Sequence, residues 1–243
     1  MTSAGPNGTD TGTTNGGPGR SAEELQLSIR GVRTREGDEP GELVVEMDTT
    51  RGVIETHLHP CEGKGGCVIF VGGAAGGVEG PASRVYTRLS RELVAHGITS
   101  LRLRYRQPGE FEECVVDVLA ACSFLKGIGA ERTVVVGHSF GGAVAIKVGE
   151  LGGLVTAVAA LSSQRFGTGS VETLAKPLLL IHGSRDDILD RAASDDIYER
   201  AVQPKRLVVL DGAGHGLIEA AEEVHDLLHE FITRQVGEAV GEG

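Results

Sequence analysis

The sequence predicts an α/β fold in which helices cover both faces of a mostly parallel β-sheet, and three patterns lead to this prediction. Short apolar runs alternate along the chain with longer amphipathic segments, which is typical of repeated strand–helix–strand units. Runs such as CVIFV and TVVV are apolar throughout, as expected for strands buried on both faces. The first strand-like segments instead nearly alternate in polarity, which predicts an antiparallel edge on the sheet.

The elements follow in order from the amino-terminal side. Residues 25–33 and 42–59 are predicted to be antiparallel strands, and the second segment contains ELVVEM and VIETHLH around a turn at 48–52. From residue 67 onward, strands and helices alternate. The predicted strands are 67–71, 98–105, 133–136, 157–161, 177–182 and 206–210, and the predicted helices are 82–96, 111–126, 140–149, 190–202 and 217–236.

The chain divides into a tail and one domain. Residues 1–20 are mostly Gly, Thr, Asn and Pro with almost nothing to bury, so we expect a disordered tail. Residues 21–243 show neither an internal repeat nor a change of composition. They are therefore expected to form a single α/β domain.

Charge and hydropathy exclude two classes of partner. The chain of 243 residues carries 34 Asp and Glu against 23 Lys and Arg, a net charge of −11, so nucleic acid is not expected to bind. The one dense basic run is Arg102, Arg104 and Arg106, whose spacing of two fits one face or the end of a strand. No apolar run approaches the roughly 18–20 residues of a membrane helix, so no membrane association is expected.

The cysteines and the amino terminus bear on location. The four cysteines form neither a Cys-x-x-Cys pair nor a zinc-finger spacing. No secretory signal is visible at the amino terminus. A cytoplasmic protein with free thiols is the expectation.

The segment Gly137-His138-Ser139-Phe140-Gly141 matches the pattern Gly-x-Ser-x-Gly. The pattern alone is weak, but here it directly follows the predicted strand TVVV and precedes a helix. A tight strand-to-helix turn exposes the serine, and the flanking glycines avoid a clash there. Ser139 is therefore a candidate nucleophile.

A serine hydroxyl needs a base to take its proton and a third group to orient that base. The strand PLLLI leads through His182 into a loop that contains Asp186 and Asp187, and the strand RLVVL leads into a glycine-rich loop that contains His215. Loops at the carboxyl ends of parallel strands line one crevice. Ser139, one of the two aspartates and His215 are expected to converge there.

The pieces FVGGAAGG, GHSFGG, IHGSRDD and GAGHG stand in the order found in α/β-hydrolases, and the chain resembles that superfamily over residues 67–216. It is most similar to its small members without a cap domain, the dienelactone-hydrolase-like proteins and serine esterases. The resemblance implies that Ser139 is the nucleophile and that His215 is the general base and then the general acid. It favours Asp186 as the orienting carboxylate, with Asp187 as the alternative.

The resemblance also implies an oxyanion hole. Its two donors would be the backbone N–H groups of Ala74, in the glycine-rich loop after the strand CVIFV, and of Phe140, the residue after the nucleophile. Many family members have His-Gly where this chain has Gly72-Gly73, which puts the rigidity of that loop in question. A phosphate cradle is disfavoured because the loop lacks the Gly-Lys-Ser/Thr ending.

The connection at 162–176 is too short for the helical cap that many family members insert there. The site is therefore expected to be open to solvent. Gln164 and Arg165 are expected near the crevice, together with Ala75 and Arg106.

The other histidines receive structural interpretations. His138 is expected to be a packed turn residue, and His182 to be structural. His225 and His229 lie four residues apart on a predicted helix, but without further ligands a solvated helix face is favoured over a metal site.

The predicted function is a serine hydrolase that cleaves a carboxylic ester or related acyl bond of a small molecule, with no metal and no organic cofactor. A peptidase or thioesterase with the same triad is the enzymatic alternative. A non-catalytic binding protein on a hydrolase scaffold is the alternative of another class. The natural acyl group and the oligomeric state do not follow from the sequence.

Overall fold

The computed structural model describes residues 26–62 and 65–237 of the chain. The predicted tail, residues 1–20, lies outside the described residues. Its disorder therefore stays a prediction.

The described residues contain nine strands, five α-helices and three short 3₁₀ turns. The strands are β1 Ile29–Glu36, β2 Leu43–Thr49, β3 Gly52–His59, β4 Gly66–Val71, β5 Ile98–Arg104, β6 Arg132–His138, β7 Val155–Leu161, β8 Leu178–Gly183 and β9 Lys205–Leu210. The α-helices are α1 Pro81–Glu92, α2 Phe111–Gly127, α3 Phe140–Leu151, α4 Ala192–Arg200 and α5 Ala221–Val236. The 3₁₀ turns are Leu93–His96, Val171–Thr173 and Ile218–Ala220.

All nine strands belong to one sheet in the order β1-β2-β3-β5-β4-β6-β7-β8-β9. The pairs β1–β2, β2–β3 and β3–β5 are antiparallel, and every pair from β5 to β9 is parallel. The predicted fold class, a mostly parallel sheet with an antiparallel amino-terminal edge, is therefore confirmed. The parallel part brings the carboxyl ends of β4 and β6 to β9 to one side of the molecule.

The apolar strands divide their side chains between two cores. In β4, Val68 and Phe70 pack with α1 and α5 on one face, whereas Ile69 and Val71 pack with α2, α3 and α4 on the other. Because successive strand residues point to opposite faces, a strand covered on both sides needs an unbroken apolar run. This is the physical reason for the pattern CVIFV.

The first helix departs from the prediction of one continuous helix over 82–96. Its opening residues Ala82, Ser83 and Arg84 have left-handed φ angles of 49°, 56° and 64°, and its end passes into the 3₁₀ turn Leu93–His96. The Ala82 N–H donates a hydrogen bond of 2.8 Å to the carbonyl of Gly216, far along the chain. A tertiary contact with a distant loop therefore shapes the start of α1, which local periodicity does not reveal.

The connection between β7 and β8 carries no cap. Its only regular element is the 3₁₀ turn Val171–Thr173. The prediction that this segment is too short for a helical cap is confirmed.

The arginine run on β5 is neutralised by carboxylates. Arg102 is buried and forms an ion pair with the buried Glu42, and it also donates to Thr87 Oγ1 at 2.5 Å. Glu42 also lies 2.8 Å from His57 Nδ1. Arg104, in contrast, pairs with Glu55 at the surface, with an N···O distance of 2.9 Å.

We predict that Arg102→Met lowers the free energy of unfolding by about 3–5 kcal/mol, because it leaves Glu42 buried without its main counter-charge. Arg104→Met is the matched control on the same strand and should cost less than about 1 kcal/mol. Urea unfolding measures both. Equal losses in the two variants would contradict the prediction.

The double variant Arg102→Met/Glu42→Gln tests the pairing itself. It removes both charges but keeps an acceptor for His57. It should recover about 1 kcal/mol or more of the loss, since residues in one ion pair do not act additively.

Candidate active site

Ser139 lies in a sharp turn between β6 and α3, with φ 59° and ψ −119°. Such a backbone conformation costs a non-glycine residue about 1–3 kcal/mol and persists only where neighbours hold it. The Ser139 N–H donates to the carbonyl of Leu161 at 2.8 Å, and the Ser139 carbonyl accepts from the N–H groups of Gly142 at 3.0 Å and Gln164 at 3.3 Å. The strained turn is thus fixed on both of its sides.

The glycines of the Gly-x-Ser-x-Gly segment allow backbones to approach closely. A Cβ at Gly137 would lie 1.9 Å from the carbonyl oxygen of Gly141, and one at Gly141 would lie 2.2 Å from that of Gly72. No side chain fits at these distances. The spacing of the two glycines around Ser139 is therefore a steric requirement of the turn.

Asp186 and His215 meet across the loops that follow β8 and β9. Asp186 Oδ2 lies 2.8 Å from His215 Nδ1, and Asp186 Oδ1 accepts from the backbone N–H groups of Ile188 at 2.9 Å and Leu189 at 2.8 Å. The Asp186 side chain is only 1% exposed. The loop therefore fixes both carboxylate oxygens.

These contacts keep the Asp186 carboxyl ionised. Burial acts to raise its pKa, but the hydrogen bonds from the Leu189 N–H, His215 and the Ile188 N–H outweigh burial and lower the pKa below its usual value. Asp187 has an exposed position in the same loop. Of the two aspartates left open by the sequence, Asp186 is the one that contacts His215.

His138 holds the loop that carries His215. Its Nε2 lies 2.9 Å from the His215 carbonyl oxygen, so this nitrogen carries the hydrogen and donates, and the two rings lie 4.8 Å apart between centroids. Burial lowers the pKa of His138 to about 4. A neutral His138 adds no repulsion when the neighbouring imidazole takes up a proton, and the interpretation as a mere packed turn residue was incomplete.

The candidate nucleophile and base are neighbours without a hydrogen bond between them. His138 precedes Ser139 in the chain and contacts His215 directly. The Ser139 hydroxyl makes no hydrogen bond to His215 or to any other residue within 26–62 and 65–237. Such bonds are often long in unliganded sites and tighten on substrate binding.

The glycine-rich loop after β4 lies over Ser139. A Cβ at Gly73 would be 3.6 Å from Ser139 Cβ, and the Gly76 N–H donates to the Gly73 carbonyl at 2.9 Å, which closes a turn around Ala74 and Ala75. Ala74 therefore follows directly on the residue that contacts the candidate nucleophile.

The second candidate donor is the backbone N–H of Phe140. Because Phe140 is the first residue of α3, its N–H has no acceptor within the helix. For the residues that the structure describes, no hydrogen bond uses the backbone N–H of Ala74 or of Phe140. Both N–H groups are therefore unengaged by protein acceptors among those residues. The substitution of Gly72 for the family's histidine has a local reason, since a Cβ at Gly72 would lie 2.6 Å from the Gly77 carbonyl oxygen.

Arg106, which the sequence analysis places near the crevice, is engaged by several partners. Its Nε contacts Asp117 at 2.5 Å, its Nη2 contacts Glu113 at 3.0 Å, and its Nη1 donates to the Arg51 carbonyl at 2.8 Å. Its side chain is buried. Its acidic partners, Glu113 and Asp117, lie on α2, the next helix in the chain. The spacing of the arginines alone therefore did not predict these ion pairs.

Gln164 and Arg165 lie in the loop after β7. Gln164 is tied to the nucleophile turn through its N–H, and its side-chain amide donates to the Phe166 carbonyl at 3.2 Å. Arg165 is exposed and pairs with Asp196 at 2.9 Å. The loop is therefore anchored to Ser139, while its arginine is already engaged.

The sequence interpretation missed a contact of His182. This residue is buried at the carboxyl end of β8. Its Nε2 lies 3.0 Å from the Leu189 carbonyl oxygen and 3.2 Å from Asp186 Oδ2. Its Nδ1 lies 2.7 Å from Ser194 Oγ. His182 thus contacts the Asp186 carboxylate from the buried side. Its position at the end of a buried strand, four residues before Asp186, is the sequence feature that could have predicted this contact.

The surface histidines have other partners. His225 Nε2 lies 2.7 Å from Glu92 Oε2, and His229 Nε2 lies 3.2 Å from His96 Nε2. In the ranges that the structure covers, no group of three or more His, Cys, Asp or Glu side chains is arranged to hold a metal ion. None of the helices within those ranges has both the length and the apolar character to cross a bilayer.

Solved structures with this architecture include a dienelactone hydrolase from Anabaena variabilis, with a TM-score of 0.70 and 19% identity over 80% of this chain and 98% of that chain. Est1E from Butyrivibrio proteoclasticus aligns with a TM-score of 0.69 and 18% identity over 79% of this chain and 98% of that one. A Xanthomonas campestris protein described as an α/β serine hydrolase without lid aligns with a TM-score of 0.66 and 17% identity over 85% and 100% of the two chains. At these identities the likeness concerns the fold.

Curated relatives match over a shorter segment. Alpha/beta hydrolase domain-containing protein 17B is 27% identical in Xenopus tropicalis and 26% identical in Homo sapiens, each over 66 residues. The match covers 27% of this chain and spans about a quarter, 23%, of the length of those relatives. The family model for the alpha/beta hydrolase family matches residues 68–220, which include every candidate residue from Ala74 to His215. By this match, the chain belongs to the alpha/beta hydrolase family.

Proposed function

We propose that the protein is a serine hydrolase that cleaves a carboxylic ester or related acyl bond of a small molecule through an acyl-enzyme intermediate. The observation that carries the proposal is the 2.8 Å contact between Asp186 and His215 next to the strained turn of Ser139. The hydrolase family supports the same class of activity, as does a structural neighbour described as the esterase domain of a Rhodothermus marinus protein.

The hydrogen bonds of His215 assign its proton. Nδ1 faces the ionised carboxylate of Asp186, so Nδ1 carries the hydrogen, and Nε2 keeps the lone pair. Nε2 is then the atom that accepts the Ser139 proton as the hydroxyl attacks the substrate carbonyl. The ionised Asp186 stabilises the imidazolium that results.

The negative charge of the tetrahedral intermediate develops on the carbonyl oxygen. The free N–H groups of Ala74 and Phe140 are the proposed donors to it, and the amino end of α3 adds a favourable dipole. The imidazolium of His215 then gives its proton to the leaving alcohol. Water, activated by the same histidine, releases the acid from Ser139.

The proposed chemistry uses these side chains, two backbone donors and water, and requires no metal or organic cofactor. The proposed partner is therefore a small acyl substrate. The net charge of −11 and the pairing of Arg102, Arg104 and Arg106 with carboxylates argue against a nucleic-acid partner.

Ser139→Ala is expected to lower kcat by about 10⁴-fold or more, because the acyl-enzyme no longer forms. Hydrolysis of nitrophenyl acetate and butyrate measures this. Ser123→Ala, at an exposed position on α2, is the control and should retain wild-type activity.

Covalent labelling separates the proposal from its alternatives. A fluorophosphonate should label the wild type and leave Ser139→Ala unlabelled. A labelled protein that hydrolyses thioesters or amides but no ester would keep the triad and overturn the ester assignment. A protein with neither activity nor label would instead be a binding protein on a hydrolase scaffold.

Asp186→Asn and Asp187→Asn form a matched pair. We expect Asp186→Asn to lower kcat by about 10²–10⁴-fold, because an amide neither fixes the His215 tautomer nor stabilises the imidazolium. Asp187→Asn should stay within about threefold of the wild type. The reverse result would assign the orienting role to Asp187.

The lowered pKa of Asp186 predicts how stability depends on pH. The folded state favours the ionised carboxylate, so the unfolded state binds more protons in the acid range, and the stabilisation is present above the unfolded pKa of about 3.9. It is lost as the pH falls through the lower folded pKa. Wild type should therefore exceed Asp186→Asn in free energy of unfolding at pH 5 to 7, and the difference should narrow toward pH 2. A difference that stays constant in urea titrations over this range would contradict the prediction.

A further inference from the structure

The most exposed large apolar side chains of the described residues gather around the candidate site. Phe166 is 70% exposed, Ile188 is 68% exposed and Ile218 is 66% exposed, and they lie in the loops after β7, β8 and β9 respectively. A single exposed apolar residue is ordinary, but a concentration of them at one place marks a binding surface.

The segments that carry these side chains also carry, or are hydrogen-bonded to, residues of the proposed triad. The Ile188 N–H donates to Asp186 Oδ1 at 2.9 Å, and Ile218 follows His215 by three positions. Phe166 is connected to Ser139 through Gln164, whose backbone N–H donates to the Ser139 carbonyl and whose side chain donates to the Phe166 carbonyl. The backbone of Ile188 and that of Phe166 are therefore linked by hydrogen bonds to the proposed triad.

Phe166 ends a row of four aromatic rings that includes Phe140, the residue after Ser139. Tyr105 and Phe140 are 6.2 Å apart between ring centroids, Phe140 and Phe111 are 5.9 Å apart, and Phe111 and Phe166 are 5.6 Å apart. The interplanar angles are 87°, 89° and 75°, so every contact is edge-to-face. Four of the chain's nine aromatic residues, six Phe and three Tyr, thus lie in this one row.

The row is held rigidly up to its outer end. Phe111 packs against Gly167, where a Cβ would lie 2.3 Å from Phe111 Cζ, and Phe140 is buried. Phe166 is the one ring of the row that remains largely open to solvent. A ring supported on one edge and open elsewhere can accept a further aromatic ring in the same geometry, which is a favoured arrangement for aromatic pairs.

Two arginines of the surrounding segments are already paired with carboxylates. Arg165 pairs with Asp196, and Arg106 is buried between Asp117 and Glu113. The subsite is therefore apolar and aromatic in character.

We propose that Phe166, backed by Phe111, is the binding subsite for an aromatic ring of the substrate, and that the substrate class is the carboxylic esters that bear an aryl group. This rests on the proposed function, because it assigns the substrate of the same site. The aryl group belongs either to the acyl part or to the alcohol part of the ester, and the test separates the two.

The test compares kcat/KM for four esters in a pH-stat assay of the full chain. Methyl 3-phenylpropanoate carries the ring on the acyl side, 2-phenylethyl acetate carries it on the alcohol side, and methyl butanoate and ethyl acetate carry none. The wild type should prefer one of the two aryl esters over its ring-free counterpart by about tenfold or more, a typical discrimination of an apolar pocket. That ester identifies the side.

Phe166→Ala should abolish this preference and change kcat/KM for the ring-free esters by less than about threefold. Phe166→Tyr, which keeps the ring, should retain the preference. Leu151→Ala is the matched control, since Leu151 is 62% exposed at the end of α3, outside these loops. An equal loss on all four esters in Phe166→Ala, or a wild type without preference, would overturn the subsite while leaving the hydrolase intact.

A binding measurement keeps the subsite testable even if none of these esters is hydrolysed. Calorimetry with 3-phenylpropanamide and 2-phenylethanol on the Ser139→Ala chain should detect binding of at least one, weakened about tenfold or more by the added Phe166→Ala change. Absence of binding, or binding that is indifferent to Phe166, would overturn the subsite. Loss of ester hydrolysis with retained binding would overturn the proposed function alone.

Discussion

The close approach of three backbone segments is the constraint on which the candidate site depends. The carboxyl end of β4, the carboxyl end of β6 and the start of α3 come so near one another that Gly137 and Gly141 leave no room for a Cβ, which would meet the carbonyl of Gly141 at the first and that of Gly72 at the second. This approach forces Ser139 into its strained conformation and brings Gly73 to within contact of it. The turn of Ser139 and the loop that bears Ala74 therefore depend on the same close approach, and a larger residue at Gly137 or Gly141 would displace both.

A second group of contacts aligns the acid and the base. His182 supports Asp186 from the buried end of β8, and His138 supports the loop of His215 from the end of β6. His182 is buried beside Asp186, which stays ionised in the proposed reaction, and His138 is half-buried beside His215, which gains and loses a proton in it. The low pKa of His138 matters here, because a second positive charge beside His215 would oppose the imidazolium that the proposed reaction requires. The strand ends thus position Asp186 and His215 and also place a neutral histidine beside His215.

The sequence predicted the sheet, its antiparallel edge and the strand ends that carry Ser139, Asp186 and His215, because these follow from periodicity and from the rule that parallel strands end on one side. It did not predict contacts between residues distant in the chain. The acidic partners of Arg106 lie on a later helix, and the left-handed start of α1 depends on a carbonyl more than a hundred residues away. The preference for Asp186 over Asp187 came from family spacing, whereas the geometry gives its reason in three hydrogen bonds that fix the Asp186 carboxylate.

The bond from the Ala82 N–H to the Gly216 carbonyl has a consequence for motion. The carbonyl of His215 accepts a hydrogen bond from His138 at the end of β6, and the carbonyl of Gly216 accepts one from Ala82 in α1. Two successive peptide groups are therefore held by the sheet and by α1. To swing His215 away from its place, the molecule must break both bonds in the same movement. Hydrogen-bonded segments of this kind exchange their amide protons slowly and open only with a larger part of the fold. We therefore expect His215 to keep its position during the proposed reaction, in which the admission of substrate would fall to other segments.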